Sequence, residues 1–332
     1  MKSLIEHHLN RRSFLTALAN ASLVSAVPTR SALAQQPFTG QMRIVVPYAA
    51  GGTGDIISRL IAKSMSSMYG QNVLIDNKAG AGGHIGAEYV ARSKPDGLTL
   101  LFGAVGTRAA FSATRNLRYD PVSDLRPVIL LAESPHVLIV NPSSPARTTS
   151  EFIALAKSKP NMINFGSAGL GTSTHLVGEL FKLTADVSLN HIPFKGSASA
   201  MSDLMGGHIQ AMFENLPAAV SFIKAGQVRA LAVTSATRST SLPEVPTIAE
   251  SGLPNFAATS WFTIDVASGT PSPIVRKLNE DLGKIIASPE LAPRWQELGL
   301  TILGGSTDTA SDFLKKETRI WTDLIRVAKV GE

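Results

Sequence analysis

Two segments rich in glycine and hydroxyl residues carry the residue types from which small-anion sites are usually built. The first, GGTGD, runs from Gly51 to Asp55 between a predicted strand and a predicted helix. The second, GSAGLGTSTHL, brings Ser167, Thr172 and Ser173 to the start of another predicted helix. Backbone N–H groups at a helix N-terminus are unpaired, and the helix dipole favours negative charge there. Both segments therefore predict binding of an anion, with plain capping by Thr172 or Ser173 as the alternative.

Neither segment follows a standard nucleotide-binding pattern. The chain contains no G-x-x-x-x-G-K-[ST] motif, and Ile85 stands where a G-x-G-x-x-G motif beginning at Gly80 needs its third glycine. No acidic residue ends the next strand to hold a ribose hydroxyl. The pattern argues against a nucleotide, and a carboxylate is the anion that fits the same physics.

Residues for turnover chemistry are sparse. Cysteine is absent, which excludes disulfides, thiolate nucleophiles and cysteine-based metal sites. The segment NFGSAG lacks the nucleophile-elbow pattern because Phe165 replaces its first glycine. His175, Asp55 and Asp203 could contact a ligand or could merely pack and cap helices. No two histidines after residue 34 have metal-ligand spacing, and we predict no metal, cofactor or catalytic residue.

Length and charge describe an ordinary globular chain. Its 332 residues are 44% hydrophobic and 17% charged, which predicts folded structure and about two domains. The net charge is +6, but residues 1–34 hold four basic residues and one acidic residue. The remaining 27 basic and 24 acidic residues give +3, and no Lys/Arg run follows a phosphate backbone. Nucleic acid is therefore not an expected partner.

Residues 1–34 have the features of an export signal. A basic start precedes a short apolar stretch and a small-x-small site that ends at Ala34. Arg11 and Arg12, followed by Ser-Phe-Leu, resemble the twin-arginine signature. The alternative is an ordinary secretory signal that happens to contain two arginines. We expect cleavage near Ala34 and a periplasmic protein, because no later stretch reaches the roughly 20 apolar residues that span a bilayer.

Short apolar runs alternate with helical patterns along the rest of the chain. Several runs are continuously apolar, which is typical of strands buried on both faces of a parallel sheet. The pattern predicts an α/β fold with two parallel sheets. Strands are predicted at 43–48, 72–77, 98–104, 136–141, 163–168, 189–194, 209–214, 229–234 and 261–267.

The helices and loops around these strands indicate where a ligand would bind. Thr148 and Glu151 form a capping-box pattern at the start of one helix, and two long amphipathic helices end the chain. Ligands in α/β folds bind outside the carboxyl ends of the strands. We expect five loops at such ends: 51–54, 80–84, 103–108, 167–173 and 194–197.

Taken together and in order, several segments resemble the Bug family, the TctC-like periplasmic solute receptors of tripartite tricarboxylate transporters. The similarity extends over nearly all of the chain after the signal. The segments are VVPYAAGGTGDIISRLIA, VLIDNKAGAGGHIGAEYVARSKPDGLTLLFG, LRYDPVSDLRPVILLAE, INFGSAGLGTSTHLVGELFK, HIPFKGSASAMSDLMGGHIQAMFENLPAAVSFIKAGQVRALAVTS and PEVPTIAESGLPNF.

The resemblance implies a type II periplasmic-binding-protein fold, in which two α/β lobes joined by two crossover strands close around a ligand. The lobes would be 35–137 plus 262–332 and 138–261, after the signal at 1–34. The crossings would lie near ESPHVLIVN and TSWFTIDV. The function implied is that of a non-enzymatic receptor, a monomer without cofactor, which delivers a small carboxylate to integral membrane transporter subunits.

Ligand-binding residues are also implied by the resemblance, through motif position. They are Tyr48, Ala50, Gly51, Gly52, Asp55, Thr107, Ser167, Ala168, Gly169, Thr172, Ser173, His175 and Asp203. The chain departs from the family where proline is common near the first glycines, since it has Ala49-Ala50 and Thr53-Gly54 instead. Arg108 stands near an expected Asn-Pro and is either an additional carboxylate partner or a surface arginine.

Two other functions remain open on the sequence alone. A receptor of this kind could serve a sensor kinase instead of a transporter. An exported α/β enzyme is the second alternative, because the twin-arginine route carries folded and often cofactor-loaded proteins.

Overall fold

The computed structural model describes residues 38–108 and 117–328, and the fold below is that of the compact unit that begins at Gly40. The predicted export signal, 1–34, lies outside the described residues, as does most of the unusual segment that follows Arg108.

Strands and helices alternate along this unit. The strands are β1 (Arg43–Val46), β2 (Leu74–Asn77), β3 (Thr99–Ala104), β4 (Leu125–Val140), β5 (Asn164–Ser167), β6 (Asn190–Pro193), β7 (Ala211–Asn215), β8 (Arg229–Val233), β9 (Thr259–Ala267) and β10 (Thr301–Gly304). The helices are α1 (Thr53–Tyr69), α2 (His84–Ala91), α3 (Val105–Arg108), α4 (Thr149–Ser158), α5 (Ser173–Ala185), α6 (Ser197–Met205), α7 (Leu216–Lys224), α8 (Ser272–Ile286), α9 (Ala292–Glu297) and α10 (Thr307–Val327).

The strands form two parallel groups within one sheet. The order is β2-β1-β3-β9-β4-β7-β5-β6, and β8 and β10 also pair with β4. β1 is parallel to β2 and β3, and β5 is parallel to β6 and β7. The predicted α/β class is confirmed. The two parallel groups are not separate sheets, because β4 and β9 join them through antiparallel pairs.

β4 is the longest strand and was only partly predicted. It has 16 residues, of which the earlier part pairs with β9 and the segment His136–Val140 pairs with β7. Only residues 136–141 were expected as a strand. The earlier part contains Pro127 and Pro135, and the pairing with β9 shifts register next to Pro127. Proline cannot donate a ladder hydrogen bond, which weakens the strand signal without preventing the strand.

Local sequence signals explain the helix ends well. The Thr148 side chain accepts a hydrogen bond of 3.1 Å from the Glu151 N–H, and the Glu151 carboxylate accepts one of 2.6 Å from the Arg147 N–H. Thr148 therefore caps α4 as the sequence predicts, but the Glu151 carboxylate bonds the N–H of Arg147, one residue before the position that a capping box uses. α1 ends at Gly70, whose φ of 63° is a left-handed conformation that glycine adopts at little cost.

Aromatic side chains fill the core beside the second parallel group. The rings of Phe181 and Phe213 lie 5.1 Å apart, and Phe165 packs edge-on against Phe213. Trp261 of β9 and Trp321 of α10 both donate to one Glu317 oxygen, at 3.0 and 3.1 Å. The last long helix is thereby bonded to a strand that joins the two parallel groups.

Candidate functional site

The loops at the carboxyl ends of the strands enclose a small inner cavity of about 40 Å³. A buried water molecule needs about 10–15 Å³, so the cavity has room for about three water-sized groups, or one carboxylate head. The residues that line the inner cavity are Tyr48, Ala49, Gly52, Thr53, Gly54, Phe102, Ala104, Ala168, Thr172, Ser173, Thr174, Ser197, Asn215 and Phe262.

Four helices begin at the inner cavity. α1, α5 and α6 start at Thr53, Ser173 and Ser197, and α7 has Asn215 as its N-cap. Two of the four N-cap residues, Gly52 and Gly196, have no side chain, and within the described chain the side chains of the other two, Thr172 and Asn215, accept no capping hydrogen bond. The first N–H groups of each helix therefore lack the usual side-chain partner, and four dipoles present their positive ends to one space. This arrangement favours a small anion.

Two polar atoms in the cavity wall have no hydrogen-bond partner among the described residues. They are Oγ1 of Thr53 and Oδ1 of Asn215, in side chains that are 5% and 8% exposed. Leaving a buried polar atom unpaired costs about 1–3 kcal/mol. A ligand or water in the cavity would provide the missing partners.

Tyr48 lies between the inner cavity and a larger outer groove. The outer groove has a volume of about 520 Å³ and is lined by Pro47, Tyr48, Ala79, Gly80, Ala81, Gly82, Gly83, Ala168, Gly169, Leu170, Pro193, Phe194 and Lys195. Burial raises the pKa of the Tyr48 phenol, against a smaller lowering by a hydrogen bond with Thr107, so the phenol stays neutral. Thr107 itself exchanges two 3.0 Å hydrogen bonds with the Ala104 backbone, and it is not among the described residues that line either space.

In the first glycine segment, the Asp55 carboxylate is held by donors of the protein. It accepts from the Gly51 N–H at 3.1 Å, from Arg59 at 2.9 Å and from Asn77 at 3.1 Å. Burial alone would raise the pKa of Asp55, but these hydrogen bonds outweigh it and lower the pKa. Gly52 lines the cavity, whereas Ala50 and Gly51 are exposed at the tip of the loop.

The second segment is held by bonds among its own residues. The Ala168 N–H donates to Thr174 at 2.9 Å, and the Thr172 hydroxyl donates to the Gly169 carbonyl at 2.7 Å. Ala168, Thr172 and the neighbouring Ser173 line the inner cavity, and Gly169 lines the outer groove. Ser167 is fully buried behind them and bonds to His191 at 2.7 Å.

His175, in the first turn of α5, bonds to this segment. Its ring stacks on His191 at 3.7 Å, and its Nδ1 accepts from the Gly171 N–H at 3.2 Å. Nε2 lies 3.6 Å from Glu179. Burial lowers the pKa of His191 to about 3, so that ring is neutral. His175 is not among the described residues that line the inner cavity or the outer groove, and neither is Asp203, which lies farther along α6.

Arg108 is neither on the surface nor beside the inner cavity. It is 5% exposed, donates to the Pro121 and Leu125 carbonyls, and lies 3.9 Å from Asp265. Burial raises the pKa of Asp265, a residue of β9, and the Arg108 charge opposes part of that rise.

Glycines let the loops of the two parallel groups touch around the cavity. A Cβ atom on Gly82 would lie 2.7 Å from the Leu170 carbonyl oxygen, and one on Gly196 would lie 2.7 Å from the Ala49 Cβ. Both contacts join a loop of the β1–β3 group to a loop of the β5–β7 group. No side chain larger than hydrogen fits at either position without moving a neighbour.

Comparison with known proteins identifies the kind of protein that carries this site. A family model described as "Tripartite tricarboxylate transporter family receptor" matches residues 57–330. The chain belongs to this receptor family. The family predicted from the sequence segments is therefore confirmed.

Three solved structures resemble the receptor closely. Rpa4515 of R. palustris, solved with adipate, is 37% identical, with a TM-score of 0.85 over 87% of this chain and 97% of that one. Periplasmic binding protein BugD is 33% identical, with a TM-score of 0.84 over 88% and 99% of the two chains. MatC of Rhodopseudomonas palustris, solved with malate, is 32% identical, with a TM-score of 0.81 over 86% and 98%. The predicted periplasmic-binding-protein fold is confirmed.

Clusters of metal ligands and membrane-spanning helices are both absent from residues 38–108 and 117–328, the part of the chain that the structure describes. Among them, no cluster of three His, Asp or Glu side chains could hold a metal ion. No helix in the same ranges is long and apolar enough to cross a bilayer.

Several lining residues were not named as ligand-binding residues from the sequence, although Thr53 and Ser197 lie in loops expected at the ligand-binding end. Thr53, Thr174, Ser197 and Asn215 follow different strands, and only the fold brings them together. Their one shared signal is a polar residue at the start of a helix that follows a strand. The thirteen ligand-binding residues named from motif position remain a prediction. Of these, the structure places Tyr48, Gly52, Ala168, Thr172 and Ser173 at the inner cavity.

Proposed function

We propose that this protein is a non-enzymatic extracytoplasmic receptor that binds a small carboxylate and delivers it to a tripartite tricarboxylate-type membrane transporter. The observation that carries the proposal is the convergence of four helix N-termini, without side-chain caps, on one cavity. Such termini stabilise negative charge without a cationic side chain. The solved relatives that hold adipate and malate support the same class of ligand.

The inner cavity and the outer groove would hold different parts of the ligand. The inner cavity accepts a carboxylate head, next to the unpaired hydroxyl of Thr53. The remainder of the ligand passes Tyr48 and Ala168, which line both spaces, into the outer groove. Most residues of that groove are apolar or glycine, and Lys195 is its one cation among the described residues.

Binding would draw together two lobes, 35–137 plus 262–332 and 138–261. The proposal rests on β4 and β9, the two strands that carry the chain between the parallel groups. A ligand that touches both groups favours the closed form by its additional contacts there. The glycine contacts of Gly82 and Gly196 belong to this closed form.

Export across the inner membrane would bring the receptor to its ligand. The basic start, the apolar stretch and the site at Ala34 support a cleaved signal, and Arg11 and Arg12 support the twin-arginine route. Replacing both arginines with lysine should retain the precursor inside the cell. Unchanged export of that variant would assign the signal to another route.

Calorimetry against a ligand panel tests the function directly. The panel contains mono-, di- and tricarboxylates, amino acids and aromatic acids, at pH 6 and pH 8. We expect saturable 1:1 binding of at least one carboxylate, and recovery of that ligand chemically unchanged. No binding by any member would refute the receptor proposal, whereas conversion of the ligand would indicate an enzyme.

A further inference from the structure

The peptide unit between Leu170 and Gly171 lies where the loops of the two parallel groups meet. Its carbonyl oxygen, on Leu170, would lie 2.7 Å from a Cβ on Gly82 in the other group. Its N–H, on Gly171, donates a 3.2 Å hydrogen bond to Nδ1 of His175. Because a peptide unit is planar, the histidine that holds the N–H also fixes the direction of the carbonyl. His175 is thus one peptide unit away from the contact between the groups.

Rotation of this peptide unit would disturb both spaces of the candidate site. Gly169 and Leu170 line the outer groove, and Thr172 lines the inner cavity. The carbonyl of Gly171, in the next peptide unit, would lie 3.3 Å from a Cβ on Gly106, which follows β3. The second glycine segment therefore reaches the β1–β3 group through two successive carbonyls.

The His175 ring is held between other side chains. It is 4% exposed and stacks on the ring of His191 at 3.7 Å, with the ring of Phe165 at 6.4 Å. Nε2 of His191 lies in turn 2.7 Å from Oγ of Ser167. A ring packed in this way presents one fixed nitrogen, Nδ1, to the Gly171 N–H.

Nδ1 can accept this hydrogen bond only while it carries no proton. In a neutral imidazole one nitrogen donates and the other accepts, whereas in the protonated ring both nitrogens donate. The bond from Gly171 therefore places the proton of neutral His175 on Nε2, which lies 3.6 Å from Glu179. A second proton, on Nδ1, would point at the Gly171 N–H, so the peptide unit would have to turn or move away.

We propose that His175 is a positioning residue for ligand binding, which holds the Leu170–Gly171 peptide unit against Gly82 only while its Nδ1 is unprotonated. The inference rests on the proposed receptor function, and it adds a proton as a competitor of the ligand. Carboxylate affinity falls in acid, because protonated His175 must release its proton before the loops can meet. By linkage, a carboxylate that binds in acid drives that proton off.

The nearest titratable groups allow one proton on the stacked pair. Burial, together with the nearby His175, lowers the pKa of His191 to about 3, so His191 stays neutral above about pH 5. Glu179, one turn further along α5, lies beside His175 and is also paired with Lys182 at 2.7 Å. A carboxylate in this place favours the protonated form of His175, which can then compete with the bond from Gly171.

Among the elements packed against α5, β7 carries a second titratable group. This is Glu214, whose pKa burial raises to about 7. It precedes Asn215 of the cavity wall, so a proton on Glu214 removes negative charge near the anion space and favours binding in acid. That effect has the opposite sign to the one proposed for His175. The experiment therefore compares variants at position 175 with the wild type at each pH.

The remaining elements packed against α5 are β5 and α10. The strand β5 has no titratable side chain. On α10, Glu317 is bonded to Trp261 and Trp321, and the other charged side chains are exposed. Solvent screens exposed charges, so they contribute little to the protonation of a buried histidine.

Calorimetry with acetate, adipate and malate from pH 8 to pH 5.5 measures the effect, with the carboxylate that binds most tightly at pH 8. His175→Asn retains an acceptor, Oδ1, near the position of Nδ1 and does not titrate. It should bind about as tightly as the wild type at pH 8. At pH 5.5 it should bind about tenfold more tightly than the wild type, because histidine gains its proton in this range. Ionisation of the ligand and of Glu214 is common to both proteins and cancels in this comparison.

Two further variants separate positioning from a merely structural role. His175→Leu removes the acceptor and should bind about tenfold more weakly than the wild type at pH 8, with the pH profile of His175→Asn. His208→Asn is the matched control, because His208 is exposed and is not among the described residues that line either space. It should keep the pH profile of the wild type. A structural role alone would lower the stability of the position-175 variants and leave all pH profiles alike.

Nuclear magnetic resonance of the histidine rings provides a measurement that needs no variant. In the wild type, one ring should take up its proton at a lower pH in the bound receptor than in the empty one. Identical titration of all histidines in the two states, or equal pH profiles of the wild type and His175→Asn, would overturn the role of His175 and leave the receptor function intact. Failure of all three carboxylates to bind at pH 8 would overturn both.

Discussion

At the scale of single residues, α1 contains two buried hydroxyls of which only one lies at the inner cavity. Thr53 and Ser58 both have a side-chain oxygen without a hydrogen-bond partner in the described chain. Thr53 lines the inner cavity and Ser58 does not. Each unpaired oxygen costs free energy in the empty protein. At Thr53, a ligand can remove that cost.

Thr53→Val removes this hydroxyl with little change of shape. The free energy of unfolding of the empty receptor should stay constant or rise by up to about 1 kcal/mol, because a buried unpaired polar atom is lost. Carboxylate affinity should fall about five- to tenfold, the value of about one hydrogen bond. Urea unfolding and calorimetry measure the two effects separately.

Ser58→Ala is the control for this experiment. It removes another unpaired hydroxyl of the same helix, so its effect on stability should be similar while affinity stays unchanged. If Thr53→Val binds every carboxylate as tightly as the wild type, the Thr53 hydroxyl does not contact the ligand.

Asp55→Asn tests whether this carboxylate holds the first glycine segment. An amide is neutral, so the charge-assisted bond from Arg59 is lost, and we expect a loss of about 2 kcal/mol in unfolding free energy at pH 7. Because the pKa of Asp55 is lowered in the folded state, its stabilisation is complete above the unfolded value of about 3.9. This stabilisation is lost as the pH falls through the pKa of Asp55 in the folded state.

Urea unfolding at pH 7 and at pH 3 checks both statements. The difference between wild type and Asp55→Asn should be smaller at pH 3. Asp323→Asn removes an exposed carboxylate 2.8 Å from Arg326 and should change stability by less than about 0.5 kcal/mol. Equal effects of the two variants would show that Asp55 has no special role.

At the scale of elements, the loops that follow the strands depend on glycine for their mutual contact. Gly82 has a φ of 65° and meets the Leu170 carbonyl, whereas Gly226 has a φ of 69° and nothing within 4 Å of its added Cβ. The two positions share backbone strain but differ in their surroundings. They form a matched pair for measuring the contact.

Gly82→Ala and Gly226→Ala should each lower the unfolding free energy by about 1–2 kcal/mol, because alanine is strained at positive φ. Only Gly82→Ala should weaken carboxylate binding, by at least about tenfold, since its Cβ prevents the loops from meeting. Calorimetry and thermal unfolding of both variants test this. Equal affinities would show that the loop contact contributes nothing to binding.

Local sequence patterns predict most helices and strands, and pairing between distant strands explains the ones that were not predicted. The helix cap at Thr148 and the apolar run of β1 could be predicted because each depends on neighbouring residues. The first part of β4 could not, because Pro127 and Pro135 interrupt its signal and pairing with β9 outweighs them. β10 was also missed, since two exposed and two half-buried residues beside β4 give little pattern.

In the candidate site, too, features that depend on neighbouring residues could be predicted, and features that depend on distant residues could not. The two glycine segments were found because the loop composition is local. Ser197, although it lies in an expected loop, and Asn215 were not named as ligand-binding residues, because only the folded chain brings the starts of α6 and α7 to one cavity.

At the scale of the whole molecule, β4 and β9 make the two parallel groups mechanically dependent on each other. Trp261 lies on β9 and is bonded through Glu317 to Trp321 of α10, so these strands and the last helix share one core. Removing the β1–β3 group would leave an edge of β9 unpaired, and removing the β5–β7 group would leave an edge of β4 unpaired. Independent stability of the two proposed lobes is therefore not expected.

Urea unfolding should accordingly show one cooperative transition. Tryptophan fluorescence and far-ultraviolet circular dichroism should give the same midpoint. A bound carboxylate at about 100 times its Kd should add about 2.7 kcal/mol to the unfolding free energy. Two separate transitions in the empty protein would show that the lobes fold independently.

The partition at Tyr48 and Ala168 has a consequence for how such a receptor diversifies. The inner cavity depends on backbone N–H groups and on a few small polar side chains, whereas Leu170, Phe194 and Lys195 line only the outer groove. On the proposed function, substitutions in the outer groove change which carboxylate binds and leave the inner cavity unchanged. One inner cavity could thus serve many receptors of this kind, each with a different outer groove and a different carboxylate.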